Sequence, residues 1–144
     1  MADISSRRRN VLVANYDPGV RAIVTLTLSQ RGFAVTTARS LQEAISSFQT
    51  LPADMVMLDM LLPISTADAP PADDDVQAAR EFVEFLRDVS RRDGRQVTLI
   101  GVTALGLVKG DSLGIQQDDA TITYRQLNAP FGLNDLLGTI ERAS

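Results

Sequence analysis

The sequence predicts an α/β domain: a single, doubly wound, five-stranded parallel sheet with helices on both faces. Two observations carry this. Short apolar runs alternate with helix-period segments along the chain, with brief connections, and right-handed crossovers turn that alternation into a parallel sheet covered on both sides. The run Met55-Val56-Met57-Leu58 has no polar alternation at all, as expected of a central strand buried on both faces. The length of 144 residues suits one domain, and 44% apolar against 22% charged residues suffices for a core.

Residues 1–9 form a lead, and the domain runs over 10–144. Residues 10–14 are a short strand, broken by Asn15-Tyr16-Asp17-Pro18. Asp17 followed by Pro18 is a good N-cap and first-turn pair, and Val20, Ile23, Val24, Thr27 and Leu28 recur at helical spacing. Gly32 stops that helix, and 33–37 is the second strand. Ser40-Leu41-Gln42-Glu43 is a capping box opening the next helix, which Pro52 closes. The central strand over 55–59 ends on Asp59. Residues 64–75 hold two prolines and the run Asp73-Asp74-Asp75 without periodicity, and read as a long acidic loop, with Asp75 capping the third helix. That helix spans 76–91, and a strand over 96–102, ending at Thr103-Ala104, comes next. Residues 105–119 are due to be the fourth helix. Gly106, Gly110 and Gly114 each cost about 1 kcal/mol against alanine there, so the element is expected to be short or irregular. Residues 121–127 are the fifth strand. Ala129-Pro130-Phe131 turns the chain into a last helix with Leu133, Leu136, Leu137 and Ile140 on its face.

Composition excludes several functions. Fourteen basic and eighteen acidic residues give a net charge of −4, which argues against a nucleic-acid surface. The cluster Arg7-Arg8-Arg9 reads as a solvated terminus. No cysteine and no histidine are present, which removes disulfides, thiolate metal sites, the usual general base and a histidine phosphocarrier. No apolar run approaches the roughly 20 residues that span a bilayer, and no signal peptide begins the chain. The expectation is a cytoplasmic protein that binds neither membrane nor nucleic acid. A nucleotide- or flavin-binding protein of similar topology would want a Gly-rich or Ser/Thr-rich phosphate loop after the first strand, and Asn15-Tyr16-Asp17-Pro18 is none.

In an open α/β sheet, ligands and chemistry gather at the carboxyl ends of the strands. Here that edge collects Asn15, Tyr16 and Asp17, then Asp59, then Thr103 and Ala104, then Ala129 and Pro130. Asp59-Met60-Leu61-Leu62-Pro63, Thr103-Ala104 and Pro130-Phe131, in that order, resemble the motifs of the receiver domains of bacterial two-component response regulators, over about 10–143. The resemblance implies a flavodoxin-like (βα)5 fold, a phosphoacceptor at Asp59, a phosphoryl-contacting switch hydroxyl at Thr103 with its small neighbour Ala104, and a histidine kinase or downstream effector as protein partner. It also implies Mg²⁺ held by two acids after the first strand, a lysine before Pro130, and an aromatic switch residue three positions before that lysine.

This chain departs at those places. Asn15 and Tyr16 stand where the acids would be, Ala129 where the lysine would be, and Gln126 at the aromatic position. Phosphoryl transfer to a carboxylate depends almost wholly on positioning and charge neutralisation. Mg²⁺ prefers one or two carboxylates with waters, and alanine delivers no cation. Asp59, Asn15 and Asp17 are the only metal candidates, and Asp17 serves better as a helix cap. Asp68 or Asp73-Asp74-Asp75 folding back would be a rescue, and the Tyr16 ring filling the vacated place another outcome. The expectation is an atypical single-domain response regulator: not an enzyme, without a cofactor, acting as a protein-interaction module through the face of 105–119, the fifth strand and the last helix, where a homodimer would also form. With the chain ending at Ser144, its effect is expected to pass through a partner. The alternative is a working phosphoacceptor, phosphorylated on Asp59 by a histidine kinase, with Mg²⁺ and compensating ligands.

Overall fold

Met55 to Leu58 are all buried to 2% exposure or less, in the middle strand of a five-stranded sheet. The computed structural model describes residues 9–65, 76–104, 113, 115, 121–129 and 131–143. Its strands are β1 (Asn10–Ala14), β2 (Ala34–Ala38), β3 (Met55–Asp59), β4 (Val97–Ala104) and β5 (Ile122–Ala129). The helices among the described residues are α1 (Pro18–Gln30), α2 (Leu41–Thr50), α3 (Gln77–Asp93) and α4 (Leu133–Ala143). The strand order is β2-β1-β3-β4-β5 and every pair is parallel, so all strands end on one edge. This is the doubly wound order whose switch point lies between β1 and β3.

Side-chain alternation sends the two sets of strand residues to two cores. Leu12, Val56, Leu58 and Leu99 face α2 and α3. Val11, Val13, Met55, Met57 and Ile100 face α1 and α4. The α2–α3 side is built on aromatics: Phe85 meets the Phe82 ring nearly parallel at 5.7 Å and the Phe48 ring edge-on at 5.8 Å. Such pairs add about 0.5–1.5 kcal/mol to plain burial. The opposite side has an interior of aliphatic and methionine side chains, with the partly buried Phe33 and Phe131 packed against it.

The helix ends show how local sequence becomes geometry. Asp17 caps α1, its Oδ1 accepting from the N–H groups of Gly19 at 2.8 Å and Val20 at 3.4 Å. At α2, Ser40 Oγ accepts from Glu43 N–H at 3.2 Å. Glu43 does not close the expected box onto Ser40. Its carboxylate accepts from Arg39 N–H at 3.0 Å and pairs with the Arg39 guanidinium at 2.7 Å. The arginine one position earlier offers a charged partner as well as an amide, and wins. The first two N–H groups of α2, from Leu41 and Gln42, donate to the carbonyls of Pro63 at 2.8 Å and Ile64 at 3.1 Å. The loop leaving β3 is thereby pinned to the start of α2, and no opening N–H of that helix is left over.

The expected boundaries shift in a few places. The second strand lies one residue later than 33–37, and β5 runs on to Ala129 because its pairing with β4 continues through Ala104↔Ala129. α3 takes Val76 as its N-cap, with no side-chain cap bond, so the expected Asp75 cap is not the one used. It ends at Gly94, whose φ of 67° is the left-handed conformation that closes helices most easily with glycine. The acidic loop beyond Ser65, with Asp68 and Asp73 to Asp75, and most of 105–119 with its three glycines lie outside the described residues. Leu113 and Ile115, within that stretch, are buried in the α2–α3 core.

Candidate functional site

The pocket is built at the strand ends by three segments. β3 ends on Asp59, which is partly buried. The turn after it closes on the residue itself: Leu61 N–H donates to Asp59 Oδ1 at 3.0 Å, and Leu62 N–H to the Asp59 carbonyl at 3.1 Å. Met60 N–H donates to the Val102 carbonyl at 3.0 Å, which ties the turn to β4. Asp59 is paired in register with Val102, so Thr103 is one step further along the neighbouring strand. Thr103 is only 4% exposed.

The β1–α1 loop makes the other wall. Asn15 is buried and Tyr16 is 41% exposed. Asn15 Oδ1 accepts from Asp17 N–H at 2.9 Å, an Asx turn that enters the cap of α1 directly. The backbone N–H of Tyr16 points at the Asp59 carboxylate. Arg21, one turn into α1, reaches back so that Nη1 donates to the carbonyls of both Asn15 and Tyr16, each at 2.8 Å.

These contacts set the charge state of Asp59. Burial, which disfavours the ionised form, pushes its carboxyl above the usual aspartate range. The N–H groups of Leu61 and Tyr16 pull it back down, and the negative charge of Asp17 pushes it up again. Among the described residues, Asp17 is the one charge acting on it.

On the far side the sequence signals were incomplete. Gly101 lies beneath Tyr124: a Cβ at this glycine would come within 2.6 Å of the Tyr124 hydroxyl and 2.5 Å of Met60 Cε. Tyr124 OH donates to Gln126 Oε1 at 3.3 Å, and Gln126 Nε2 to Asn128 Oδ1 at 2.9 Å. Asn128 stands opposite Thr103 in the β4–β5 register. Gln126, which stands where an aromatic was expected, is thus the middle of a polar ladder along β5. Tyr124, Asn128 and Arg21 were not anticipated. Period-two spacing could have placed Tyr124, Gln126 and Asn128 on one face, whereas nothing local marks Arg21.

Ala104 and Ala129 are paired through the backbone at the ends of β4 and β5. Pro130 lies outside the described residues. Asp17, expected as either helper or cap, caps α1. Among the described residues no three Asp or Glu side chains cluster where they could hold a metal ion. Beside the loop, α1 and α4 flank an apolar groove of about 560 Å³ that includes Val20, Ile23, Phe131 and Leu133. Ile23 and Leu133 are exposed by 58% and 49%. Among the described residues no helix is long and apolar enough to cross a membrane.

No protein-family model and no curated protein matches the sequence. Solved structures share the fold. The chemotaxis response regulator CheY4 of Vibrio cholerae is 23% identical, with a TM-score of 0.70 over 96% of this chain and 100% of that one. A response regulator described as putative, from Chloroflexus aurantiacus, is 20% identical, with a TM-score of 0.69 over 95% and 98%. The receiver domain of NtrX from Brucella abortus is 18% identical, with a TM-score of 0.64 over 92% and 96%. The fold is therefore the flavodoxin-like fold of response-regulator receiver domains.

Proposed function

We propose that this protein is an atypical receiver of two-component signalling, which works by contact with a protein partner and takes up little or no phosphoryl group through Mg²⁺. The carrying observation is the β1–α1 loop, where one side-chain oxygen each of Asn15 and Asp17 is already engaged by backbone N–H groups. Asn15 Oδ1 accepts from Asp17 N–H, and Asp17 Oδ1 caps α1. Among the described residues the site then holds Asp59, partly buried and raised in pKa, and Asp17, which is spent on the α1 cap. A hard divalent ion wants freely offered oxygens, and here Asp59 Oδ1 accepts from Leu61 N–H while Asp17 Oδ1 caps α1, so this set suits Mg²⁺ poorly. No side chain at position 129 can bring a cation to a phosphoryl oxygen, and charge neutralisation is most of what such a transfer requires.

There remains a stable scaffold with an intact strand-end carboxylate and exposed apolar side chains at the groove between α1 and α4. Apolar surface of that kind suits a protein partner, a histidine kinase or a downstream effector. The face of β5 and α4 would be the output or homodimer surface. Asp59 and the buried Thr103 keep one other reading in view: a phosphoacceptor whose missing ligands come from residues 66–75.

The test is incubation with a small-molecule phosphodonor and Mg²⁺, read by intact mass, with Asp59→Ala as control. The expected result is the unmodified mass in both proteins. An added phosphoryl mass that disappears in Asp59→Ala would overturn the proposal and favour the phosphoacceptor.

A further inference from the structure

We infer that Arg21 is a positioning residue for the pocket: its guanidinium, bound to two main-chain carbonyls, closes the β1–α1 loop with a cation that cannot leave. The inference rests on the reading of this pocket as one that works without a divalent ion, and it says what does the closing instead.

The geometry is specific. A single guanidinium nitrogen bridges the carbonyl oxygens of Asn15 and Tyr16, both at 2.8 Å. Those peptides are consecutive, and bringing their oxygens to one donor bends the chain sharply between the end of β1 and the start of α1. Two carbonyl dipoles converging on one point repel each other unless a positive charge sits between them. The Asn15 carbonyl and the Tyr16 N–H belong to one trans peptide and point opposite ways, so holding the first fixes the direction of the second, which lowers the Asp59 carboxyl. Arg21 is not itself among the charges acting on the Asp59 carboxylate, so its effect passes through the peptide it holds.

One further contact fixes the arginine. Its own backbone N–H donates to the Asp17 carbonyl at 3.1 Å, in the first turn of α1, so the root of the side chain is as rigid as the helix cap. Its charge also acts on Glu43 of α2, whose carboxylate is held low chiefly by Arg39 and to a smaller extent by Arg21. The side chain therefore ties the loop to the first turn of α1. A covalently attached cation with planar, directional donors suits two fixed carbonyls better than an exchangeable ion does. The consequence is a pocket with one loop conformation whether or not metal is present.

The experiment uses the full chain in EDTA and follows amide hydrogen exchange and the side-chain titration of Asp59 by NMR. In Arg21→Gln, the Tyr16 amide is expected to exchange about tenfold faster, since one to two charge-assisted hydrogen bonds are lost. The Val13 amide, in the core of β1, should be unchanged and reports that the fold is intact. The Asp59 titration midpoint should rise as the Tyr16 N–H leaves it. Arg21→Lys, which keeps the charge but lacks the planar fork, should fall between the two. Exchange at Tyr16 within about twofold of wild type, or an unmoved Asp59 midpoint, would overturn the inference. So would slowing of Tyr16 exchange by added Mg²⁺ in the wild type. A phosphoryl adduct on Asp59 with the clamp intact would instead overturn the functional reading alone.

Discussion

The two walls on either side of the central strand are built on different physics. The β1–α1 wall is a hydrogen-bonded closure in which Asn15, Asp17 and Arg21 spend their polar groups on nearby backbone. The β4–β5 wall is a packing closure, in which a missing side chain at Gly101 makes room for Tyr124 and Met60. Hydrogen-bonded closure is cheap to make and strict in geometry, because each bond contributes only about 1 kcal/mol net but fails with small displacement. Packed closure tolerates loss of a polar contact and responds sharply to volume. One sheet thus has a side that is set by direction and a side that is set by space.

The packed wall should break hardest. Gly101→Val places branched carbon where the Tyr124 hydroxyl and Met60 Cε now lie, and should cost about 1–3 kcal/mol, read from urea denaturation. Tyr124→Ala in the same background should return part of that loss. If the two substitutions simply add, Tyr124 is not what fills the space over Gly101.

A milder loss is expected at the directional wall. Asp17→Ala removes the α1 cap and should cost about 1 kcal/mol. Asp17→Asn keeps the capping oxygen and should restore most of the stability. It should also lower the Asp59 titration midpoint, because the charge that raises it is gone. A midpoint that stays put in Asp17→Asn would mean that burial alone sets the Asp59 carboxyl.

Between the walls, the carboxyl itself gives a smaller, pH-dependent signal. Asp59 titrates above its unfolded value, so between those two values the folded state binds more protons than the unfolded one. Stability on this account falls as pH rises through that window, and the loss is fully present above the folded value. Asp59→Asn should therefore melt higher than wild type at neutral pH, with the gain vanishing once pH falls below the unfolded aspartate value. An equal gain at both ends of that range would assign it to something other than ionisation.

Much of the fold was legible because its signals are local. The unbroken apolar run at Met55 to Leu58, the Asp17-Pro18 start and the glycine at position 32 each act within a few residues, and each lies where such signals put strand, cap and stop. The strand-end gathering of Asn15, Asp59 and Thr103 came from topology alone, since parallel strands must end together. The contacts that stayed hidden depend on distance in space. Glu43 chose Arg39 over Ser40 because a guanidinium happened to lie within reach. Helix α2 begins where it does because Pro63 and Ile64, some twenty residues on, accept its first N–H groups.

Periodicity and residue identity, which need no partner to be read, were enough for the class of sheet, the buried central strand, and the chemical groups at the strand ends: Asp59, Thr103, Asn15 and Tyr16 in place of two acids, and Ala129 in place of a lysine. How those groups act on one another came from packing. That Asn15 and Tyr16 share one arginine, that Tyr16 turns its amide on Asp59, and that Tyr124 lies over Gly101 are consequences of which surfaces the packed sheet brings together. The side chains involved have no preference for those partners until the core has placed them.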